Sequence, residues 1–297
     1  MRQRDIFYRF PHWLQLVCLF LVFIGCVLVG GNIASMAAVL CFGADALGHA
    51  GSLLAVQGVS VVCGFLLPAL WFNHMQQAGH PDYLHVRETL SLRWLGVAVL
   101  AYFLLCPFIS FLQEWNMGWH LPEKWQTLEV YFRNKSLQME ELSKRMLLTH
   151  SWGVFAGSLC VVALGAGICE EFFFRGCLQN LFHSWFKNTH AAVWTTAAVF
   201  SLFHADFFGF MPRLFLGAFL GYLYLWSGSI WLSVIIHSLN NAILATAYFL
   251  NFNHHITFNP DSLEQSPPWY MVVPCLVACI GLCLWMVRTV KKKPSQS

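Results

Sequence analysis

The stretch G-I-C-E-E-F-F-F-R-G-C-L-Q-N, Gly167 to Asn180, governs how the whole chain is read. It places two adjacent carboxylates, Glu170 and Glu171, and one guanidinium, Arg175, inside an apolar segment from about Trp152 to Phe186. A charge in hydrocarbon costs several kcal/mol even on lenient insertion scales, so an ionisable cluster there points to function. On a helix, Glu171 and Arg175 face each other, while Glu170 points about 100° away. Arg175 can then hold one carboxylate as an ion pair and leave the other free to act as a base. The bland alternative is a salt bridge at the membrane interface, with Glu170 merely reaching for water.

Composition supports a membrane setting. Of 297 residues, 58% are hydrophobic, 16% aromatic and 10% charged, against about 25% charged in an average soluble domain. Repeated long apolar runs imply a single polytopic membrane domain with the lipid bilayer as its partner. A net charge of +3 is too small to argue for nucleic acid. The 11 cysteines form no CxxC pair and fall mostly in apolar runs, which fits buried packing residues rather than a disulfide framework or zinc ribbon. Arg2, Arg4 and Arg9 precede an apolar run that outlasts a signal-peptide core, so it is expected to stay as the first span.

The chain divides into residues 1–149, an N-terminal membrane region of about three spans; 150–250, the motif-bearing core; and 251–297, a loop, a last span and a basic tail. Expected spans are Leu14 to Ala34, Leu53 to Phe72, Trp94 to Leu112, Trp152 to Phe186, His190 to Asp206, Phe207 to Trp226, Ile230 to Phe249 and Trp269 to Val287. The fold class is therefore all-α, with about eight transmembrane helices. Pro107 is expected to kink the third, and Gly217/Gly221 form a GxxxG that permits close helix approach. Residues 113–150 are the one long polar stretch. Their three-and-four apolar spacing, broken at Lys135, and the pairs Glu129/Arg133, Glu140/Lys144 and Glu141/Arg145 predict one or two amphipathic helices over 122–148. Such an element would lie on the bilayer surface, as a solvated face or as a gate for substrate. Basic residues at both ends, Lys291 to Lys293 included, favour both termini in the cytoplasm and an even number of spans, although Lys124, Arg133, Lys135, Lys144 and Arg145 then fall outside.

Two further polar sites lie in apolar spans. His204 follows Phe200 by four in F-S-L-F-H, and His237 precedes Asn241 by four in H-S-L-N-N. Asn240, three residues on, also shares the face of His237, so spacing alone does not choose between the amides. A buried, satisfied histidine explains either site singly. Three such sites on separate apolar segments favour a joint functional role.

The ordered set E-E-F-F-F-R, F-S-L-F-H and H-S-L-N-N resembles the EExxxR, FxxxH and HxxxN motifs of the CPBP (CAAX protease and bacteriocin-processing, or Abi) family, and within it the type II CAAX prenyl endopeptidases. The resemblance covers about residues 150–250. It implies an eight-helix core with an intramembrane catalytic cavity, where Glu170 and His204 activate water and His237 and Asn241 stabilise the oxyanion. Glu171 and Arg175 become a supporting ion pair that aims Glu170. The implied activity is an intramembrane endopeptidase acting on a membrane protein or peptide without a cofactor. A Zn2+-dependent version would use Glu170, His204 and His237 as ligands, although no HExxH occurs. A non-catalytic immunity or scaffold protein and a transporter are the other classes; paired broken helices in internal repeats would signal the last, and none is evident. Short loops and basic ends suit a bacterial cytoplasmic membrane.

Overall fold

The computed structural model describes residues 6–290, so Arg2, Arg4 and Lys291 to Lys293 lie outside the described residues. The chain is an all-α, multi-pass membrane protein with no β-strand among the described residues. Its main helices are α1 (His12–Phe42), α2 (Ala50–Gln76), α3 (Leu92–Met117), α4 (Gln126–Leu147), α5 (Trp152–Phe186), α6 (Thr189–Phe203), α7 (Phe210–Ser227), α8 (Ile230–Phe252) and α9 (Trp269–Val290). Seven are long and apolar enough to cross a bilayer. The exceptions are the amphipathic α4 and the apolar but short α6 of 15 residues. At 1.5 Å per residue α6 spans about 22 Å, less than the ~30 Å hydrocarbon layer.

Contacts between loops show how the helices alternate. At one end, Gln15 near the start of α1 bonds Gln76 at the end of α2, the Ile230 amide of α8 donates to the His85 carbonyl, and Arg93 stacks on Trp285 of α9. At the other end, Asn253 donates to the Thr149 carbonyl and the Ser266 amide to Glu114. The start of α1 and the end of α9 therefore share one end, and α6 must run between the two ends for the chain to alternate. The expected count of eight thus divides into seven full-length spans and one short crossing.

Several spans are longer than their apolar cores suggested. α1 continues to Phe42, and α5 is one continuous helix of 35 residues rather than a span followed by an interfacial helix. Pro107 lies inside α3, which carries on to Met117. α4 is likewise unbroken at Lys135, and its three i,i+4 ion pairs form, at 2.8 Å for Glu129–Arg133, 2.6 Å for Glu140–Lys144 and 2.6 Å for Glu141–Arg145. All 11 cysteines are free.

α5 is the central element. Its Phe173 and Phe174, essentially without exposed surface, pack against Phe23 of α1, Phe65 of α2 and Phe200 and Phe203 of α6. Edge-on ring pairs such as Phe174–Phe200, at 5.1 Å and 89°, add about 0.5–1.5 kcal/mol each beyond their buried area. On its other side α5 meets α8 closely at Gly167, where a Cβ would run into Ser238, whose backbone N would be 3.2 Å away. The expected outcome for Gly167→Ala is a loss of about 1–3 kcal/mol through overpacking, seen as a lower unfolding midpoint in detergent; an unchanged midpoint would show that α5 and α8 can separate freely.

Candidate active site

The geometry begins with the irregularity of α5. Ala166–Glu171 is an α-helical turn between two π-helical stretches, Leu159–Gly165 and Phe172–Gln179. Such widened turns rotate the side chains that follow and recur at functional sites. Here they bracket the acid pair.

Glu171 and Arg175 have no exposed side-chain surface and form an ion pair at 2.7 Å. The second guanidinium nitrogen of Arg175 donates to the Gly217 carbonyl at 2.9 Å, and its face lies 4.8 Å from the centre of the Phe200 ring. One turn further along, Gln179 donates to the Gly221 carbonyl at 3.0 Å. The GxxxG of α7 thus bares two carbonyls to two long polar side chains of α5, spaced by the same four residues.

Glu171 Oε1 also accepts from His237 Nδ1 at 2.7 Å. The opposite ring nitrogen, Nε2, stands 3.8 Å from Glu170 Oε2. That gap is too long for a hydrogen bond and suits a water or substrate atom touching both groups. Among the described residues Glu170 makes no side-chain ion pair other than this long one, and its Oε2, like Glu171 Oε2, is buried without a hydrogen-bond partner.

His204 caps the end of α6, and Ala205 beyond it takes a left-handed turn (φ 50°). Its Nδ1 bonds the Phe200 carbonyl at 2.9 Å. A carbonyl only accepts, so Nδ1 carries the proton and Nε2 of the neutral ring is the free base. Phe200 touches His204, His237 and Arg175 at once, with ring centroids 4.8 Å and 5.8 Å from the two imidazoles. Asn241 lies on the same face of α8 as His237 and donates to the Val162 carbonyl in the first π-helical stretch, at 3.1 Å.

The structure therefore brings Glu170, Glu171, Arg175, His204 and His237 together, with Asn241 beside them. Among the described residues no three His, Cys, Asp or Glu side chains are grouped so that they could hold a metal ion. Sequence reasoning missed Arg213, which pairs with Asp206 at 2.7 Å, and Ser136 of α4, which bonds the same carboxylate at 2.5 Å. The signal for Arg213 was a lone charge opening an apolar helix.

Residues 139–243, about a third of the chain, match the family model described as type II CAAX prenyl endopeptidase Rce1-like. The match includes all of Glu170, Glu171, Arg175, His204, His237 and Asn241, and it supports assignment to the CPBP/CAAX protease family. No curated protein and no solved structure matches the chain.

Breaking a fully buried ion pair leaves an uncompensated charge and costs about 3–5 kcal/mol. Arg175→Ala is accordingly expected to cut the yield of folded protein sharply, whereas Glu170→Gln leaves it near normal. Size-exclusion profiles and thermal unfolding in detergent check this. Equal yields for both variants would remove the supporting role of Arg175.

Proposed function

We propose that the chain is an intramembrane endopeptidase that hydrolyses a peptide bond of a membrane-associated protein or peptide. The observation that carries this reading is His237 bridging the two acids, with Nδ1 on Glu171 and Nε2 facing the unpartnered Glu170 oxygen. In this scheme Glu170 and the free Nε2 of His204 take a proton from water as its oxygen adds to the scissile carbonyl carbon. The resulting oxyanion is held by His237 and by the Asn241 amide. With Nδ1–H committed to Glu171, His237 donates from Nε2 only as the imidazolium, flanked by two carboxylates. Collapse of the intermediate breaks the C–N bond, and the proton held by the acid or imidazole passes to the leaving amine. Glu171 and Arg175 touch no reacting atom and hold His237 and the backbone around Glu170.

His204, of the proposed catalytic residues, borders a cavity. A cavity of about 310 Å³ lies between α3, α4, α7 and α8 and is lined by His204, Asp206 and Arg213 below and by Ser136, Met139 and Lys144 of α4 above. α4 is fastened over it by Ser136–Asp206 and by Lys144–Asp261 at 3.0 Å. This placement favours α4 as a roof on the cavity, through which a substrate segment passes, rather than a detached solvated face. The charge placement, with Arg87, Arg93 and Arg288 at the end opposite α4, supports that end as cytoplasmic; a bacterial cytoplasmic membrane is the location proposed with it.

The substrate class named by the family model, a prenylated CAAX segment, supplies the first probe. Purified protein is expected to cleave a farnesylated CAAX peptide or an unprenylated membrane peptide. Glu170→Ala and His204→Ala should each lose at least ~10²-fold in rate. Chelator should leave the rate unchanged and the purified protein should hold no stoichiometric zinc. Chelator inactivation with stoichiometric metal would replace the scheme with a zinc-dependent one. Protein termini compared between wild-type and Glu170→Ala membranes test the cellular role, and a normal phenotype with unchanged termini would favour a non-catalytic scaffold.

A further inference from the structure

A chain of side-chain hydrogen bonds leads from α3 to the site. Tyr102 Oη bonds Asn240 Oδ1 at 3.1 Å, Asn240 Nδ2 bonds Asn241 Oδ1 at 3.0 Å, and Asn241 Nδ2 bonds the Val162 carbonyl at 3.1 Å. The direction of this chain is set at one end. A backbone carbonyl only accepts, so Asn241 must turn its NH2 toward Val162 and its oxygen toward Asn240. Asn240 must then give its NH2 to Asn241 and its oxygen to Tyr102, whose hydroxyl is left as the donor. A flipped Asn240 would set two amide oxygens against each other. Tyr102 is buried at 5% exposure within an apolar span, where a hydroxyl without a partner is costly.

We propose that Tyr102 and Asn240 are positioning residues that fix the plane of the Asn241 amide, so that the N–H not used by Val162 keeps one direction toward the reacting carbonyl. The proposal rests on the reading of Asn241 as an oxyanion donor. Such donors accelerate a reaction because they are aimed before it starts. An amide bonded only to Val162 can swing about that bond; one held at both its oxygen and its nitrogen cannot. The chain also explains why two asparagines stand in series: Asn240 orients and Asn241 donates. It ties α3, α8 and the π-helical turn of α5 that precedes Glu170 into one directed array.

Two measurements on the full chain in detergent micelles test this. In protein selectively labelled with 15N-asparagine, the Asn241 side-chain signal is identified by its loss in Asn241→Ala. Tyr102→Phe is expected to shift that signal, and an unmoved signal would overturn the chain without reference to any substrate. With the farnesylated CAAX peptide as probe, Tyr102→Phe and Asn240→Asp are expected to lower kcat about 10-fold with KM unchanged, less than the ~10²-fold or greater cost of deleting an oxyanion donor. Neither should lower kcat further in an Asn241→Ala background. An undiminished kcat in Tyr102→Phe, or equal losses in both backgrounds, would overturn the positioning role while leaving Asn241 itself in place. Full kcat in Asn241→Ala would instead remove the oxyanion reading on which the proposal stands.

Discussion

A guanidinium with no exposed surface in the middle of an apolar bundle is the constraint on which the rest of the structure depends. Arg175 is always charged, and it cannot be left unpaired in hydrocarbon. Four helices meet it at once, through Glu171 on its own helix, the Gly217 carbonyl on α7, the Phe200 ring on α6 and, by way of Glu171, His237 on α8, although its Nε has no hydrogen-bond partner among the described residues. Any arrangement that separates these helices exposes the charge to lipid. The ion pair gains little net stability over an apolar substitute of the same shape, because both charges lose their hydration. Its effect is specificity, since only one packing of α5, α6, α7 and α8 satisfies it.

That clamp also sorts the two acids. Glu171 Oε1 accepts from both Arg175 and His237. Glu170, one residue earlier, is turned to a different face, where its nearest charged neighbour is His237 Nε2 at 3.8 Å. Two chemically identical side chains acquire different partners because helix periodicity separates them by about 100°. Phe200 then serves as a hub, its ring against Arg175 and both imidazoles while its carbonyl sets the proton on His204 Nδ1.

Much of this was legible in the sequence, and the reason is physical. Charges and imidazoles in apolar runs stand out because hydrocarbon penalises them, and i,i+4 spacing shows which can meet on one helix. Glu171–Arg175 and His237–Asn241 were readable in that way. What spacing cannot show is a contact between helices. Nothing local marks the Gly217 carbonyl as the second partner of Arg175, since any chain atom is an acceptor once a glycine bares it. The asparagines illustrate the same limit. Periodicity left Asn240 and Asn241 equivalent, and contacts far along the chain tell them apart: Tyr102, 138 residues from Asn240, and Val162, 79 residues from Asn241. The π-helical stretches left no sequence trace that hydropathy could register, and the length of α5 was readable only as a continuous apolar run.

The short helix α6 gives the depth of the site a physical cause. It begins at the same end as His85 and stops at His204, after about 22 Å, where Ala205 turns the chain back into α7. Neighbouring α5 continues for 35 residues, or about 52 Å. A bundle with one short crossing has a recess where that helix stops, floored by the turn that carries His204 and Asp206. An open recess at this depth would flood the acids with water or fill with lipid. α4 covers it, with Ser136 on Asp206, Phe132 stacked on Phe207 at 5.3 Å and Arg133 over the Phe208 ring at 4.1 Å. The amphipathic pattern of α4 is therefore explained by two different neighbours, the floor of the recess beneath it and the aqueous phase above. A polar helix in this position covers the recess beside His204 and Asp206 with groups that both neighbours can solvate.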